Sequence, residues 1–313
     1  MSIAGTAMCR AGERHCEDWR RLRGRDASYF APDPREGIPD VGWAQSDMGE
    51  LWADADADEP KYGRPSICAA VKRLEQDKRV EPAITDAVIA STPGGVGELA
   101  GLAARMKSPQ SLARKIADKS ASVDPFKLAE VGQTPQAMVA AETKDTIRYT
   151  VRVEDPGAVV SQARTVVSGL QSRGFKVVEA ESFYSDGAPY KGLHTTIQAP
   201  DGARFELQFH SRLSLEVKEG PESEGGTGGI HKFYEFYRER NNRRTLRGRE
   251  MASACYDECV RQSRSVPMPQ GIEDLTSLGG TEVVKVGGVP DWYIAPEQRK
   301  EYTTDVRNDT SWR

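Results

Sequence analysis

Four groups of side chains carry the residue types that chemistry on phosphates needs. Arg105, Lys107, Ser111, Arg114 and Lys115 put cations and a hydroxyl at the start of a helical stretch. Free backbone N–H groups beside positive charge grip phosphate at such a place. Asp145, with Arg148 three residues on, sets a carboxylate at the edge of a strand, where it can hold a hard cation such as Mg2+. Ala188-Pro-Tyr-Lys-Gly-Leu-His-Thr195 offers Tyr190 to stack on a base, Lys191 to meet phosphate and Gly192 for close backbone approach, with His194 beside them. In Phe205-Glu-Leu-Gln-Phe-His-Ser211, alternation puts Glu206, Gln208 and His210 on one face and Phe205, Leu207 and Phe209 on the other. Each group alone also has a plainer reading: surface helix charges, a turn aspartate, an exposed loop tyrosine, a solvent-facing strand.

The elements that must position these groups follow from apolar spacing. Helix is predicted over Ile67 to Leu74, with more apolar content from Ile84 to Ile89 and a break at Pro93-Gly-Gly95. Helix resumes from Glu98 to Met106, restarts at Ser108-Pro109 through Ile116, and recurs from Phe126 to Ala141. Thr146 to Val153 then alternates as a strand, with Ile147, Tyr149, Val151 and Val153 on one face. Asp155-Pro156 opens a helix that Gly174 ends. Phe175 to Phe183, Leu193 to Gln198 and Arg204 to Phe209 read as strands, the last two joined by a hairpin turn at Pro200-Asp-Gly202. A helix follows, is interrupted by the glycine-rich Gly220 to Gly229, and gives way to one long helix from His231 towards Ser263. This order implies an α/β (α+β) fold, a mixed β-sheet flanked by helices.

Composition bounds the function. The 313 residues are 38% hydrophobic and 29% charged, with net charge −4. No stretch has the roughly 20 apolar residues of a membrane-spanning helix, and the N-terminus lacks the pattern of a secretory signal. An acidic total argues against a surface built wholly for nucleic acid. Residues 101–250 carry 23 Lys and Arg against 19 Asp and Glu, whereas the flanks carry 20 against 28, so the middle is the part suited to a phosphate-rich ligand. Residues 1–60 read as a poorly structured leader that includes the acidic run Asp54-Ala-Asp-Ala-Asp-Glu-Pro60, a solvated linker. Residues 61–270 read as the domain, and 271–313 as a tail of unknown role. Five cysteines without a framework fit a reduced, cytoplasmic chain. Cys9, His15 and Cys16 are weak zinc ligands, and Cys255 and Cys259 are small apolar residues on one helix face.

Taken in order, the four groups resemble the synthetase domain of the RelA/SpoT family, which makes alarmone nucleotides. Arg105, Lys107, Ser111, Arg114 and Lys115 fit its R-x-K-x-x-x-S-x-x-[RK]-K signature. Lys144-Asp-Thr-Ile-Arg-Tyr149 is similar to its D-x-x-x-[RY] element, with Asp145 as the first residue. Pro189-Tyr-Lys-Gly-Leu-His-Thr195 is similar to G-Y-R-S-L-H-T, and Glu206-Leu-Gln-Phe-His-Ser211 to E-V-Q-I-R-T. His231-Lys-Phe-Tyr234 echoes a later H-W-x-Y. The resemblance covers about residues 100 to 240.

The resemblance implies a nucleotidyltransferase-like synthetase domain and an ATP-dependent pyrophosphokinase. Arg105, Lys107, Ser111, Arg114 and Lys115 would bind ATP, and Asp145 and Glu206 would hold Mg2+ and act catalytically. Arg148, Tyr190, Lys191, His194, Gln208 and His210 would bind the acceptor. The acceptor's 3′-hydroxyl would attack the β-phosphorus and release AMP. Pro189, Lys191, Gly192 and His210 depart from the family pattern, all where the acceptor would sit. They leave the acceptor open between GTP/GDP and ATP/ADP, with the 3′ end of tRNA as a toxin-like alternative and an inactive nucleotide-binding domain as another. Arg238 to Arg249 is a basic run suited to an RNA backbone or to a solvated helix face. The family's hydrolase signature is not seen upstream and no regulatory half follows, so a stand-alone synthetase is expected, with an antitoxin protein to restrain it.

Overall fold

The computed structural model describes residues 21–23, 35–41, 45–95, 97–124, 128, 132–220 and 229–300. Cys9, His15, Cys16, Tyr302 and Trp312 lie outside them, as does most of the glycine-rich stretch after Gly220. The chain divides into two compact units. One takes Met1–Ala87, Gly101–Tyr149 and Ala199–Glu206, and the other Val88–Ala100, Thr150–Gln198 and Leu207–Arg313.

Structure begins earlier than the sequence predicts. Helix α1 spans Gln45–Asp56, inside the expected leader. Met48, Leu51, Trp52 and Ala55 recur at helical spacing and are almost fully buried. Asp54 in the acidic run accepts from the backbone N–H of Lys61 at 2.6 Å and Asp56 pairs with Arg23 at 2.5 Å, while Asp56, Asp58 and Glu59 are exposed, as a solvated run would be. Helix α2 runs unbroken over Arg64–Ser91 with Pro82 inside it. Ser108 caps α3 (Pro109–Ser120) and Thr134 caps α4 (Pro135–Glu142), each with proline in the first turn. The apolar faces of α1 to α4 and Met106 form one core in the first unit. Each fully buried large aliphatic side chain there contributes about 1.5–3 kcal/mol before entropy is counted.

The helix expected from Glu98 to Met106 is absent. Glu98–Ala100 is a short strand, β1, paired antiparallel with Arg152, Val151 and Thr150. Gly101 then turns the chain with φ 61°, a left-handed conformation that favours glycine, into a single 3-10 turn at Leu102–Ala104. Strand β2 (Arg148–Val153) buries Tyr149, Val151 and Val153, as its alternation predicts. Helix α5 (Val159–Gln171) follows a 3-10 turn at Pro156–Ala158. Strands β3 (Lys176–Ser182), β4 (Leu193–Gln198) and β5 (Arg204–Ser211) match the expected strands to within a few residues.

Helix α6 spans Arg212–Glu219. The single helix expected from His231 to Ser263 is two, α7 (His231–Arg238) and α8 (Leu246–Ser263). The intervening asparagines compete with helix for the backbone: Asn242 donates to the Phe236 carbonyl at 2.9 Å, and Thr245 caps α8 by accepting from Gly248. Two strands beyond the expected domain, β6 (Ser277–Leu278) and β7 (Thr281–Lys285), complete a seven-stranded sheet of order β1-β2-β5-β4-β3-β7-β6. β3 pairs antiparallel with β4 and parallel with β7, so the sheet is mixed. The fold is a mixed α/β one with helices packed around this sheet.

Candidate active site

In the first unit the sequence-predicted cations converge on one carboxylate. Lys107 Nζ lies 3.0 Å from Asp145 Oδ2, and Lys115 Nζ 2.6 Å from Oδ1. Lys107 comes just before the Ser108 cap and Lys115 one turn beyond Ser111, so the start of α3 presents both. Ser111 itself donates its backbone N–H to the cap at 3.4 Å, and Arg114 lies partly exposed beside Lys115.

Burial alone would raise the pKa of Asp145. The charges and hydrogen bonds of Lys107 and Lys115 outweigh it and hold the carboxyl well below the usual carboxylate range. Burial in turn lowers the pKa of Lys107, against the attraction of Asp145, with Lys115 and Arg148 adding repulsion. Lys119 is lowered by burial and by Lys115, and it also feels Lys144. Lys107 and Lys115 thus pair with one ionised carboxylate, with Arg148 close enough to repel Lys107 and Lys144 close enough to repel Lys119. Lys119 and Lys144 were not picked out from the sequence, although one stands four residues after Lys115 and the other next to Asp145.

Glu206 is pinned to the same strip of backbone. Its N–H donates to the Ile147 carbonyl at 2.9 Å, and the Lys107 N–H donates to the Thr146 carbonyl at 2.9 Å. Tyr149 and Phe205 meet edge to face at 5.7 Å on the buried side. Arg148 and Glu206, each one residue along its strand, therefore emerge together on the opposite side. Arg148 stands with the Asp145 group. Among the described residues no set of three or more His, Cys, Asp and Glu side chains is placed to hold a metal. Asp145 and Glu206 could supply two hard oxygen ligands, with the rest left to substrate phosphates and water, which is how Mg2+ is usually held.

Arg105 is not part of this group. Its side chain is 1% exposed, with Nε 2.7 Å from Glu81 and Nη1 2.7 Å from the Pro39 carbonyl. Glu81 also takes Arg35 at 3.1 Å and the Thr85 hydroxyl, which meets Tyr149 at 2.7 Å. Arg105 is a cross-link between α2 and the turn before α3.

The second unit gathers Tyr190, His194 and His210. The Tyr190 hydroxyl lies 2.7 Å from His194 Nε2 and 2.6 Å from His210 Nε2. His210 Nδ1 lies 2.9 Å from Ser214 Oγ. Phe183 meets Tyr190 at 5.3 Å and His194 at 4.9 Å between ring centres. His210 and Gln208 are buried, so the polar face of β5 is not a solvent-facing one at that end. Gln208 accepts from Lys218 at 3.1 Å, and Lys191 folds back to donate to the Ser185 carbonyl. Ser214 and Phe183 carried no motif, though Ser214 stands four residues after His210. Cys255 and Cys259 are buried apolar residues as expected, and burial pushes the Cys255 thiol up to about 12.

No protein-family profile matches the chain, and no curated protein matches it. Among solved structures it is similar to a chain in the crystal structure of the complex between the Type VI effector Tas1 and its immunity protein. The identity is 18%, 72% of this chain and 98% of that chain are covered, and the TM-score is 0.33.

Proposed function

We propose that the chain is an ATP-dependent pyrophosphokinase that moves the β,γ-pyrophosphate of ATP to the 3′-hydroxyl of a nucleotide. The observation that carries this reading is Asp145, a largely buried carboxylate kept ionised between Lys107 and Lys115 at the start of α3. Such a group is a receptor for a triphosphate and a hard cation. The ordered motifs that resemble the RelA/SpoT synthetase supply the reaction class.

In this reading Lys107, Lys115 and Arg148 bind the phosphates, and Arg114 and Ser111 border them at the start of α3. Arg105 braces the fold instead. Asp145 and Glu206 hold Mg2+, which when bound neutralises charge on the phosphate oxygens. Glu206 takes the proton of the acceptor hydroxyl. Its oxygen bonds to the β-phosphorus, the bridge to the α-phosphate breaks, and AMP leaves. Tyr190 packs on the acceptor base. A guanosine nucleotide (GTP/GDP) is the first choice of acceptor and an adenosine nucleotide (ATP/ADP) the second.

A second reading, in which the acceptor is the 3′ end of tRNA, is favoured by the exposure of Arg240, Arg244, Arg247 and Arg249 around the start of α8. Incubation with γ-labelled ATP and, separately, GTP, ADP or tRNA decides among these. Label on a mononucleotide supports the first reading and label on tRNA the second. AMP release with no labelled acceptor sinks both and leaves an ATP pyrophosphohydrolase, and no turnover at all leaves a nucleotide-binding domain.

A further inference from the structure

The Tyr190 group belongs to a longer chain of hydrogen bonds with a fixed direction. Ser214 Oγ lies 3.0 Å from the Ser211 carbonyl, which can only accept. If each imidazole carries one N–H, these four contacts are all made when the hydrogens run in one direction. Ser214 donates to Ser211, so its oxygen accepts from His210 Nδ1–H. His210 Nε2 then accepts from the Tyr190 hydroxyl, and the phenol oxygen accepts from His194 Nε2–H. The direction runs from the partly exposed His194 to the fully buried His210 and ends on backbone.

Gly192 makes this chain possible. Its φ is not in the left-handed region, so the backbone there does not demand glycine. Space does. A Cβ at 192 would stand 2.5 Å from the Tyr190 hydroxyl oxygen and 2.9 Å from His210 Cε1. Phe183, His194 and His210 also meet the tyrosine ring in tilted, edge-type contacts, with centres 5.3, 5.4 and 5.5 Å away. The ring has one orientation that keeps both of its hydrogen bonds.

We propose that Gly192 and His210 are a matched pair of positioning residues that, through this relay, fix the Tyr190 ring against which the acceptor base binds. Two departures from the family pattern thereby become one device for acceptor choice. The acceptor half of the proposal rests on the pyrophosphokinase reading; the relay does not.

The test has two arms on the full chain. The sequence holds only four histidines, so long-range 15N–1H spectra, assigned with His194→Gln and His210→Gln, resolve the tautomers. The relay requires Nδ1–H on His210 and Nε2–H on His194. The opposite tautomer on either ring overturns it. In the second arm, acceptor and ATP titrations are run with ATP as donor and GDP or ADP as acceptor. Tyr190→Phe and Gly192→Ala should each raise the acceptor KM by about tenfold, the scale of one stacking interaction, with ATP KM unchanged. Gly192→Ala/Tyr190→Phe should be no worse than Tyr190→Phe, because a ring without its two tethers can yield to the added methyl. Fully additive losses, or equal losses for ATP and acceptor, overturn the positioning role. A wild-type protein that transfers pyrophosphate to no acceptor sinks the functional reading and the acceptor half with it, while the tautomers still decide the relay.

Discussion

Arg105 and Glu81 form a buried ion pair, 2.7 Å from Nε to Oε1, with side chains only 1% and 4% exposed. The pair joins α2 to the turn that leads into α3 and the lysines around Asp145. Removing Arg105 leaves Glu81 to Arg35 and Thr85, and removing the Glu81 charge leaves the Arg105 guanidinium buried against backbone carbonyls; breaking a buried pair in this way costs about 3–5 kcal/mol. Arg105→Ala should therefore lower the denaturant midpoint severely, and Glu81→Gln should do likewise. At a temperature where Arg105→Ala is still folded, its ATP KM should be near that of the wild type. A variant of normal stability with a greatly raised ATP KM would return Arg105 to the phosphates.

Asp145 gives a pH signature. Burial raises its pKa, but Lys107 and Lys115 more than reverse this, so the folded value lies below the ordinary 3.8. A carboxylate depressed in the folded state stabilises above the unfolded pKa and loses that contribution as pH falls through the folded one. Stability should thus decline from about pH 4 downwards, where the unfolded chain takes up protons first. Asp145→Asn should flatten that acid limb and lower stability at pH 7, since Lys107 and Lys115 then repel each other without a counter-charge. An unchanged acid limb in urea melts from pH 2.5 to 6 would mean that other carboxylates carry it. The same variant should lose pyrophosphate transfer, each tenfold of rate being worth about 1.4 kcal/mol.

The strands were legible because both faces were written plainly. Ile147, Tyr149, Val151 and Val153 alternate with polar residues, and Leu193–Gln198 is bounded by turn residues on each side. Helix α1 was not legible in the same way. Its 48, 51, 52, 55 spacing is short and set among acids, and acid content outweighed a four-residue stripe. Glu98–Met106 failed for the opposite reason: its apolar residues suit a helix, but pairing with β2 and the left-handed Gly101 override local preference. Residue type and order singled out Lys107, Lys115 and Asp145, which the fold brings together, and Tyr190, His194 and His210, which it also brings together. They could not separate Arg105, because nothing local marks Glu81, 24 residues upstream, as its partner. Gly192 was read as allowing close backbone approach; that a Cβ there would meet Tyr190 and His210 is visible only with both side chains in place.

Lys115→Ala and Lys107→Ala should each raise ATP KM by about tenfold or more, because a charge-assisted hydrogen bond to phosphate is worth about 1.5–3 kcal/mol. Acceptor KM should move far less. Titrating ATP at saturating acceptor, and the reverse, measures the split. Equal changes in the two constants would mean that the lysines serve only to place Asp145.

The segment after β7 is anchored to α8 through Asp257, which accepts from the Tyr293 hydroxyl and from Arg299, each at 2.6 Å. Ile294 donates its N–H to Ser253 Oγ at 2.9 Å, and Arg243 stacks over Trp292 at 4.8 Å. Asp257→Ala should loosen this segment at a cost of about 1–3 kcal/mol, the penalty for leaving buried hydrogen-bond donors unsatisfied. Hydrogen exchange at residues 290–299 should quicken before global unfolding does. Uniform protection in the variant would show that the aromatic packing and the Ile294–Ser253 bond hold the segment without Asp257.

The basic run separates a mononucleotide acceptor from tRNA. Arg238 pairs with Glu235 at 2.9 Å and stacks over Tyr234, and Arg243 donates to two backbone carbonyls, so both are occupied in the fold. Arg240, Arg244, Arg247 and Arg249 are exposed. If tRNA is the acceptor, its affinity should fall steeply with salt, because each phosphate that a cation neutralises releases counterions. Replacing Arg244 and Arg247 by alanine should then weaken tRNA binding and reduce the logarithmic salt slope by about one for each phosphate no longer neutralised. The same pair should leave KM for GDP or ADP unchanged, since a mononucleotide carries no extended backbone to meet this surface. A salt-steep tRNA curve that is blind to both substitutions would place the RNA elsewhere on the protein. A flat curve would favour the mononucleotide.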